Sequence, residues 1–372
     1  MKKIGVLGCT GSIGKSTLSV CRADGDFSVS FLANFSSLDA LKADIAEFHP
    51  EIAVCVGKKY LYVRGKEYDL PDGFLNDPQN YDCCDIVVNG IAGLAGLQPT
   101  LAVIRSGKIL ATANKESFVC AGTLIESLKK EYNASIYPLD SEHSAVWQLL
   151  NNRNDADKII LTASGGAFRD LSKEELTKAK ASDALRHPNW VMGKKVTIDC
   201  ATLMNKGMEI IEAKHLFGLP VTILGHRESI IHAMVGYKDG TFAANISAPD
   251  MKVPISYALH YPKRASVCLT ETDLFTDLHF FHPDREKFPC LSLAELVSEE
   301  GDIAGCVMNA ADEVLVEKYL ADEISFYDIA DGIKKALDRF ASKGNFENVE
   351  SVFRMDKAVR EYTLSMFCGG KR

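Results

Sequence analysis

The sequence lacks several features that mark whole classes of protein. No apolar run reaches the ~18 residues of a membrane-spanning helix, so no membrane partner is expected. No Lys/Arg cluster occurs, and 42 basic against 50 acidic residues leave a formal charge of −8. A nucleic-acid partner needs a basic stripe to meet its phosphates, so none is expected, although a local pocket for one phosphate stays open. The 11 cysteines include no C-x-x-C pair, and adjacent Cys83-Cys84 lacks metal-ligand spacing. An odd, scattered set in a large chain reads as buried, reduced thiols, which points to a cytoplasmic location. The apolar run after Lys2-Lys3 is too short for a signal-peptide core, and Gly11, Gly14 and Lys15 follow at once. Nothing Arg- and Ser-rich precedes the first strand, so neither a signal nor a transit peptide is expected. Internal repeats, low-complexity segments, a Ser/His/Asp triad order and a cysteine-nucleophile signature are all missing.

What remains is a chain of 372 residues, 47% hydrophobic and 25% charged, ordinary for a soluble globular protein. At roughly 150 residues per domain it should hold two or three domains. Strands are expected at KKIGVLG, FSVSFLA (27–33), EIAVCVG (51–57), CDIVVNG (84–90), KILATA (108–113) and ASIYPLD (134–140). Helices are expected at TLSVCRA, LDALKADIAEF (38–48) and LQPTLAVIRSG (97–107). This alternation predicts an α/β fold with an N-terminal, Rossmann-like, doubly wound parallel sheet over residues 1–140.

The pattern then changes. KIILTAS (158–164) and KKVTIDC (194–200) read as strands, and ATLMNKGMEIIEAKHLFG (201–218) as a helix stopped at Gly218. SIIHAMVGY, Lys238-Asp239-Gly240 and TFAANIS form a hairpin with a D-G turn. An α+β catalytic domain over 141–260 is expected, with a flexible loop about 164–194 of the length used for lids. A Pro-, His- and Phe-rich linker (261–290) and a C-terminal α-helical domain (291–372) follow.

Several clusters could carry chemistry. Gly8-Cys9-Thr10-Gly11-Ser12-Ile13-Gly14 has G-x-x-G-x-x-G spacing between a strand and a helix, which suits a dinucleotide pyrophosphate at a helix N-terminus. The next strand ends Ala33-Asn34-Phe35-Ser36-Ser37, with no acid for a ribose hydroxyl and no cation for a 2′-phosphate. Asp140-Ser141-Glu142 puts two acids where a strand ends; they read either as a cation site or as a helix N-cap. Asn205, Lys206 and Glu209 share one helix face, as a surface ion pair or as a third carboxylate beside a phosphate grip. All-oxygen ligation suits Mg²⁺ or Mn²⁺ rather than zinc. Ser164-Gly165-Gly166 reads as a phosphate loop or a plain turn, and His187-Pro188-Asn189-Trp190 as a substrate flap. Asn114-Lys115-Glu116-Ser117 reads as a group over the nicotinamide and substrate or as a helix cap with a solvated charge pair, and His232 as a satisfied core histidine.

Together GCTGSIG (8–14), GLAGLQPTL (93–101), LATANKES (110–117), PLDSEHSAVWQ (138–148), LTASGGAFR (161–169), LRHPNWVMGKKVTIDCATLMNKGMEIIEA (185–213), SIIHAMV (229–235), APDMKVPI (248–255) and MNAADE (308–313) resemble the 1-deoxy-D-xylulose 5-phosphate reductoisomerase family over nearly the whole chain. The resemblance implies a homodimer, NADPH, and Mg²⁺, Mn²⁺ or Co²⁺. It implies metal ligation by Asp140, Glu142 and Glu209. It places Gly8, Thr10, Gly11, Ser12, Ile13, Ser36, Ser37, Asn114, Glu116 and Gly193 at the cofactor. It places Lys115, Ser141, Glu142, Ser164, His187, Cys200, Asn205, Lys206, Glu209 and His232 at the sugar phosphate, covered by Trp190 and Met192. The implied reaction is a metal-assisted retro-aldol and aldol rearrangement, then reduction by NADPH to 2-C-methyl-D-erythritol 4-phosphate. An ordinary NAD(P)-dependent dehydrogenase would leave three placed carboxylates unexplained, and a dinucleotide sensor without catalysis would lack some of these residues.

The chain departs from the family pattern in three places. Cys200 stands where Ser is usual, and a thiol is the weaker donor, so the grip on phosphate or on phosphonates such as fosmidomycin should differ. Phe35-Ser36-Ser37 replaces Gly-x-Asn, which bears on NADPH preference. His226-Arg227-Glu228 replaces His-Pro-Gln.

Overall fold

The structure, a computed structural model, describes residues 1–150, 155–185, 193–265 and 271–367. The chain divides into two compact units, one of Met1–Ser117, Ile125–Trp147 and Asp250–Glu271, the other of Phe118–Leu124, Gln148–Pro249 and Thr272–Arg372.

The first unit opens with β1 (Lys2–Leu7), α1 (Ser12–Ala23), β2 (Phe27–Asn34), α2 (Leu38–Phe48) and β3 (Ile52–Cys55). A hairpin follows, β4 (Tyr60–Val63) and β5 (Lys66–Asp69), then β6 (Ile86–Asn89), α3 (Leu97–Arg105), β7 (Ile109–Thr112), α4 (Lys115–Glu131), β8 (Ile136–Pro138) and α5 (Ser141–Leu150). The sheet order is β5-β4-β3-β2-β1-β6-β7-β8. The run from β3 to β8 is parallel and reverses direction between β1 and β6, the doubly wound arrangement expected from the alternation. The reason is visible in the burial: β6 is buried along its whole length, as strands covered on both faces must be. The β4–β5 hairpin was not anticipated. Its outer strand KEYD is exposed throughout, a charged edge that discourages further pairing.

The second unit holds β9 (Ala156–Ala163), α6 (Lys173–Leu176), α7 (Ala181–Ala184), α8 (Lys194–Thr202), α9 (Met204–Phe217), β10 (Val221–His226), β11 (Ile231–Tyr237) and β12 (Phe242–Ile246). The chain then returns to the first unit as α10 (Lys252–His260), whose Ile255, Ala258 and Leu259 join the core under β1 and β2. Back in the second unit come β13 (Phe280–Phe281), α11 (Pro289–Val297), α12 (Asp302–Leu320), α13 (Phe326–Phe340) and α14 (Val349–Ser365). Its sheet runs β12-β11-β9-β10-β13, and the hairpin turns at Gly240 with φ +85°, as the D-G signal requires.

One expectation is corrected. KKVTIDC is not a strand: residues 194–200 lie in α8. Its β-branched residues favour a strand, but burial of Thr197, Ile198 and Ala201 at helical spacing overrides that preference. Lys195 adds an i,i+4 bond to Asp199 and a second to Asp312 of α12, both 2.7 Å. Leu203, at φ +61°, breaks the chain between α8 and α9, and Gly218 at φ +66° ends α9 as expected. The described part of 164–194 is also not a bare loop. It contains α6, started by a Ser172/Glu175 capping box, and α7.

Candidate active site

The glycine run forms a tight turn between β1 and α1. Gly8 has φ +80°, and a Cβ there would lie 2.8 Å from the Gly90 carbonyl. A Cβ on Gly14 would lie 2.3 Å from the Gly8 carbonyl and 2.4 Å from the Cys9 Cα. No side chain fits either place, so the turn keeps a bare backbone that allows close approach. Ser12 and Ile13 open α1, whose first N–H groups lack intrahelical partners and favour an anion.

This turn opens on a cavity of ≈ 590 Å³ at the carboxyl end of the sheet, on the β1/β6 reversal. Its wall includes Gly8, Thr10, Gly11, Ala33, Asn34, Phe35 and Ser36 on one side and Gly90, Ile91, Ala92, Ala95 and Pro99 on another. Ser36 lines it; Ser37 is not among the lining residues. Among the described residues, Lys59 and Asp72 supply its charged lining groups. The sequence reading missed Lys59, because the lysine comes from the unanticipated β3–β4 turn and not from the end of β2. Burial pushes the Cys9 thiol up to about 12, with Asp44 adding to the shift, so this cysteine is a neutral packing group.

Asn114 combines two roles. Its Oδ1 caps α4 by accepting the Ser117 N–H at 3.2 Å, and its Nδ2 donates to the Ile91 and Gly93 carbonyls at 2.8 Å each. The side chain thereby holds the loop that lines the cavity. Glu116 is buried and accepts from the same Nδ2 at 3.1 Å, so the solvated charge pair suggested by the sequence is not what forms.

Lys115 turns instead to Asp140, its Nζ 2.7 Å from Oδ2. Asp140 caps α5 as well, accepting the Glu142 N–H on Oδ1 at 3.1 Å and the Ser144 N–H on its carbonyl at 2.8 Å. Both readings of this acid are therefore physically compatible. Glu142 sits in the first turn of α5 rather than on extended chain, because Ser141 already starts the helix. The Ser141 hydroxyl donates to Glu142 Oε2 at 2.6 Å.

In the second unit the shared helix face is realised. Asn205 Nδ2 donates to Glu209 Oε1 at 2.5 Å and Lys206 donates to Oε2. Lys206 and Glu209 are 5% and 1% exposed, so this is a buried ion pair and not a surface one. Ser164 follows β9 and accepts the Gly166 N–H on its hydroxyl at 3.2 Å. Gly165 and Gly166 have φ +84° and +67°, and a Cβ on Gly166 would lie 2.4 Å from the Cys200 carbonyl. The loop after β9 is thus seated on α8 at the half-buried Cys200. His232 is a buried β11 residue with Nε2 3.2 Å from the Ser247 carbonyl, in keeping with a satisfied core histidine. Gly193 is the N-cap of α8. His187, Trp190 and Met192 lie outside the described residues.

The third departure acquires structural partners here. Arg227 pairs with Asp170, and Glu228 accepts the His279 backbone N–H at 2.9 Å and faces its ring nitrogen at 2.7 Å. Burial raises the Glu228 carboxyl, but these bonds prevail and hold it at about 2.

Comparison with known proteins agrees along the chain. Residues 4–122 match the family described as 1-deoxy-D-xylulose 5-phosphate reductoisomerase. Residues 136–217 and 246–362 match two C-terminal domain families of the same enzyme. The chain is 43% identical over 377 residues to the reductoisomerase of Geotalea uraniireducens, covering 97% of both chains. It is 40% identical to that of Lachnospira eligens over 376 residues, covering 97% of this chain and 98% of the relative. A DOX-P reductoisomerase crystallised with NADPH, fosmidomycin and magnesium superposes with a TM-score of 0.92 at 36% identity, covering 99% of this chain and 98% of the other. The Zymomonas mobilis enzyme with NADPH gives 0.89 at 36% identity, covering 99% of both.

Proposed function

The chain belongs to the 1-deoxy-D-xylulose 5-phosphate reductoisomerase family, and we propose how its residues divide that family's reaction between them. The protein is an NADPH- and metal-dependent enzyme that converts 1-deoxy-D-xylulose 5-phosphate to 2-C-methyl-D-erythritol 4-phosphate, in isoprenoid precursor synthesis. When bound, the metal supplies a Lewis acid for the substrate's ketone and hydroxyl oxygens, and NADPH supplies a hydride.

Asp140, Glu142 and Glu209 are the proposed metal ligands. Their carboxylates are hard oxygen donors of the kind that Mg²⁺ and Mn²⁺ prefer, with Co²⁺ a third candidate. Thr10, Gly11, Ser12, Ile13, Asn114, Glu116 and Gly193 are proposed at NADPH; the side-chain-free turn at Gly8 and Gly14 fits its pyrophosphate. Ser164, Cys200, Asn205 and Lys206 are proposed at the substrate phosphate, with His187 and His232 nearby and Trp190 and Met192 as cover. Binding energy at a phosphate remote from the reacting carbons can be spent on orienting them. Lys115, held at 2.7 Å by Asp140, keeps an ammonium ready to stabilise a developing oxyanion and pass on a proton.

The carrying observation is the set of acids engaged by Lys115 and Lys206, since a plain dehydrogenase needs none of them. The division into a nucleotide domain (1–140), a catalytic domain (141–260), a linker (261–290) and a helical domain (291–372) is part of the proposal. So are a homodimer and a cytoplasmic location. Among the described residues no helix is long and apolar enough to cross a membrane. The test is loss of NADPH absorbance with 1-deoxy-D-xylulose 5-phosphate and Mg²⁺ or Mn²⁺. Turnover should stop with EDTA and return with metal. Turnover that ignores EDTA would favour a plain dehydrogenase, and none under any condition would sink the assignment.

A further inference from the structure

We propose that Lys59 reads the 2′-phosphate of NADPH and sets this chain's preference for NADPH over NADH. The inference rests on the cofactor assignment above and adds a specificity residue to it. In doubly wound sheets the ribose 2′ position is met at the end of the second strand of the fold. Here that strand runs out into Phe35-Ser36-Ser37, which offers hydroxyls but no cation.

The neighbouring strand supplies the missing charge. β3 lies parallel to β2 with Cys55 beside Asn34, and β4 returns with Tyr60 beside Cys55. The turn at 56–59 therefore leaves the sheet at the same edge as residues 35–37. The two segments are tied. The Gly57 N–H donates to the Phe35 carbonyl at 2.6 Å, and the Cys55 thiol reaches that carbonyl at 3.4 Å. A Cβ on Gly57 would lie 2.7 Å from the same oxygen, so this approach needs glycine. Lys59 closes the turn, its N–H bonded to the Val56 carbonyl at 3.1 Å and its backbone at φ +48°. It lines the cavity with Phe35 and Ser36.

Its present partner is weak. Nζ lies 3.8 Å from Asp72 Oδ1, and the two side chains are 76% and 97% exposed. Such a pair contributes little, so a phosphate dianion can take the ammonium. Ser36 adds a neutral donor on the same wall.

The test is binding to the full-length protein without turnover. NADPH, NADH, 2′,5′-ADP and 5′-AMP are titrated calorimetrically into wild type, Lys59→Met and Lys58→Met. Lys59→Met keeps the apolar stem of an exposed residue. It should weaken NADPH and 2′,5′-ADP about ten-fold, the scale of one charged hydrogen bond, and leave NADH and 5′-AMP unchanged. Lys58, exposed and absent from the cavity wall, is the control and should change nothing. Equal weakening of the phosphorylated and unphosphorylated ligands, or of neither, overturns the proposal. A wild type that binds NADPH and NADH alike overturns it too and leaves the cofactor site standing. A wild type that binds neither dinucleotide defeats the cofactor assignment itself.

Discussion

Under the proposed assignment the two units would hold anions by opposite kinds of grip. In the first unit the groups proposed for a pyrophosphate are backbone N–H groups, and side chains are excluded by carbonyls within 3 Å of any Cβ at Gly8 or Gly14. In the second unit the groups are charged side chains taken out of water, with Lys206 and Glu209 almost fully buried against each other. A backbone grip is neutral, and its cost is only the conformational freedom of glycine. A buried charged grip is stabilised only while both partners remain, because an ion left alone inside costs more than the pair gains. The first should therefore fail through geometry and the second through charge.

The largest expected effect sharpens that contrast. Glu209→Gln keeps size and one acceptor oxygen but removes the charge facing Lys206. The value of kcat/KM should fall about a thousand-fold, the scale of removing a positioned electrostatic group, and the Mg²⁺ requirement should rise. Stability should fall by about 3 kcal/mol, read by thermal melting, because the Lys206 ammonium stays buried. NADPH affinity by titration should not move, and a parallel loss there would break the comparison. Gly14→Ala reverses the pattern. Its Cβ meets the Gly8 carbonyl and the Cys9 backbone, so the turn must open, at about 1–3 kcal/mol for overpacking. NADPH binding should weaken while the Mg²⁺ dependence of the residual activity stays put. A Gly14→Ala protein that binds NADPH normally would show that the turn is not the pyrophosphate site.

How much of this the sequence discloses depends on the same contrast. The glycine spacing was legible because only glycine suits a positive φ or a close backbone approach, and the structure places those residues as expected. The i,i+4 relation of Asn205 and Glu209 was legible because helix geometry is fixed. Burial of that pair was not, since spacing is silent on what packs over a face. KKVTIDC misled because its β-branched residues argue for a strand, and the contacts that make it helical, such as Lys195 to Asp312, lie 117 residues away. Lys59 was missed for a related reason: register between β2, β3 and β4 brings it onto the cavity wall that Ser36 also lines, and register is a long-range property. His226-Arg227-Glu228 likewise gained meaning only from Asp170 and His279.

The smallest effect concerns Cys200, the departure at the phosphate grip proposed for the second unit. Cys200 sits near the end of α8, half-buried, with Gly166 packed on its carbonyl. A thiol donates a weaker hydrogen bond than a hydroxyl and is the bulkier atom. Cys200→Ser should then lower KM for 1-deoxy-D-xylulose 5-phosphate by about three- to ten-fold, the worth of one ordinary hydrogen bond. The kcat and the NADPH affinity should hold, since neither the reacting carbons nor the first unit is touched. An unchanged KM would mean that the side chain at this position does not meet the phosphate, and that Asn205, Lys206 and the Ser164 loop carry the grip without it. A raised KM would mean that the pocket has been fitted around sulfur, with the serine left too short to reach.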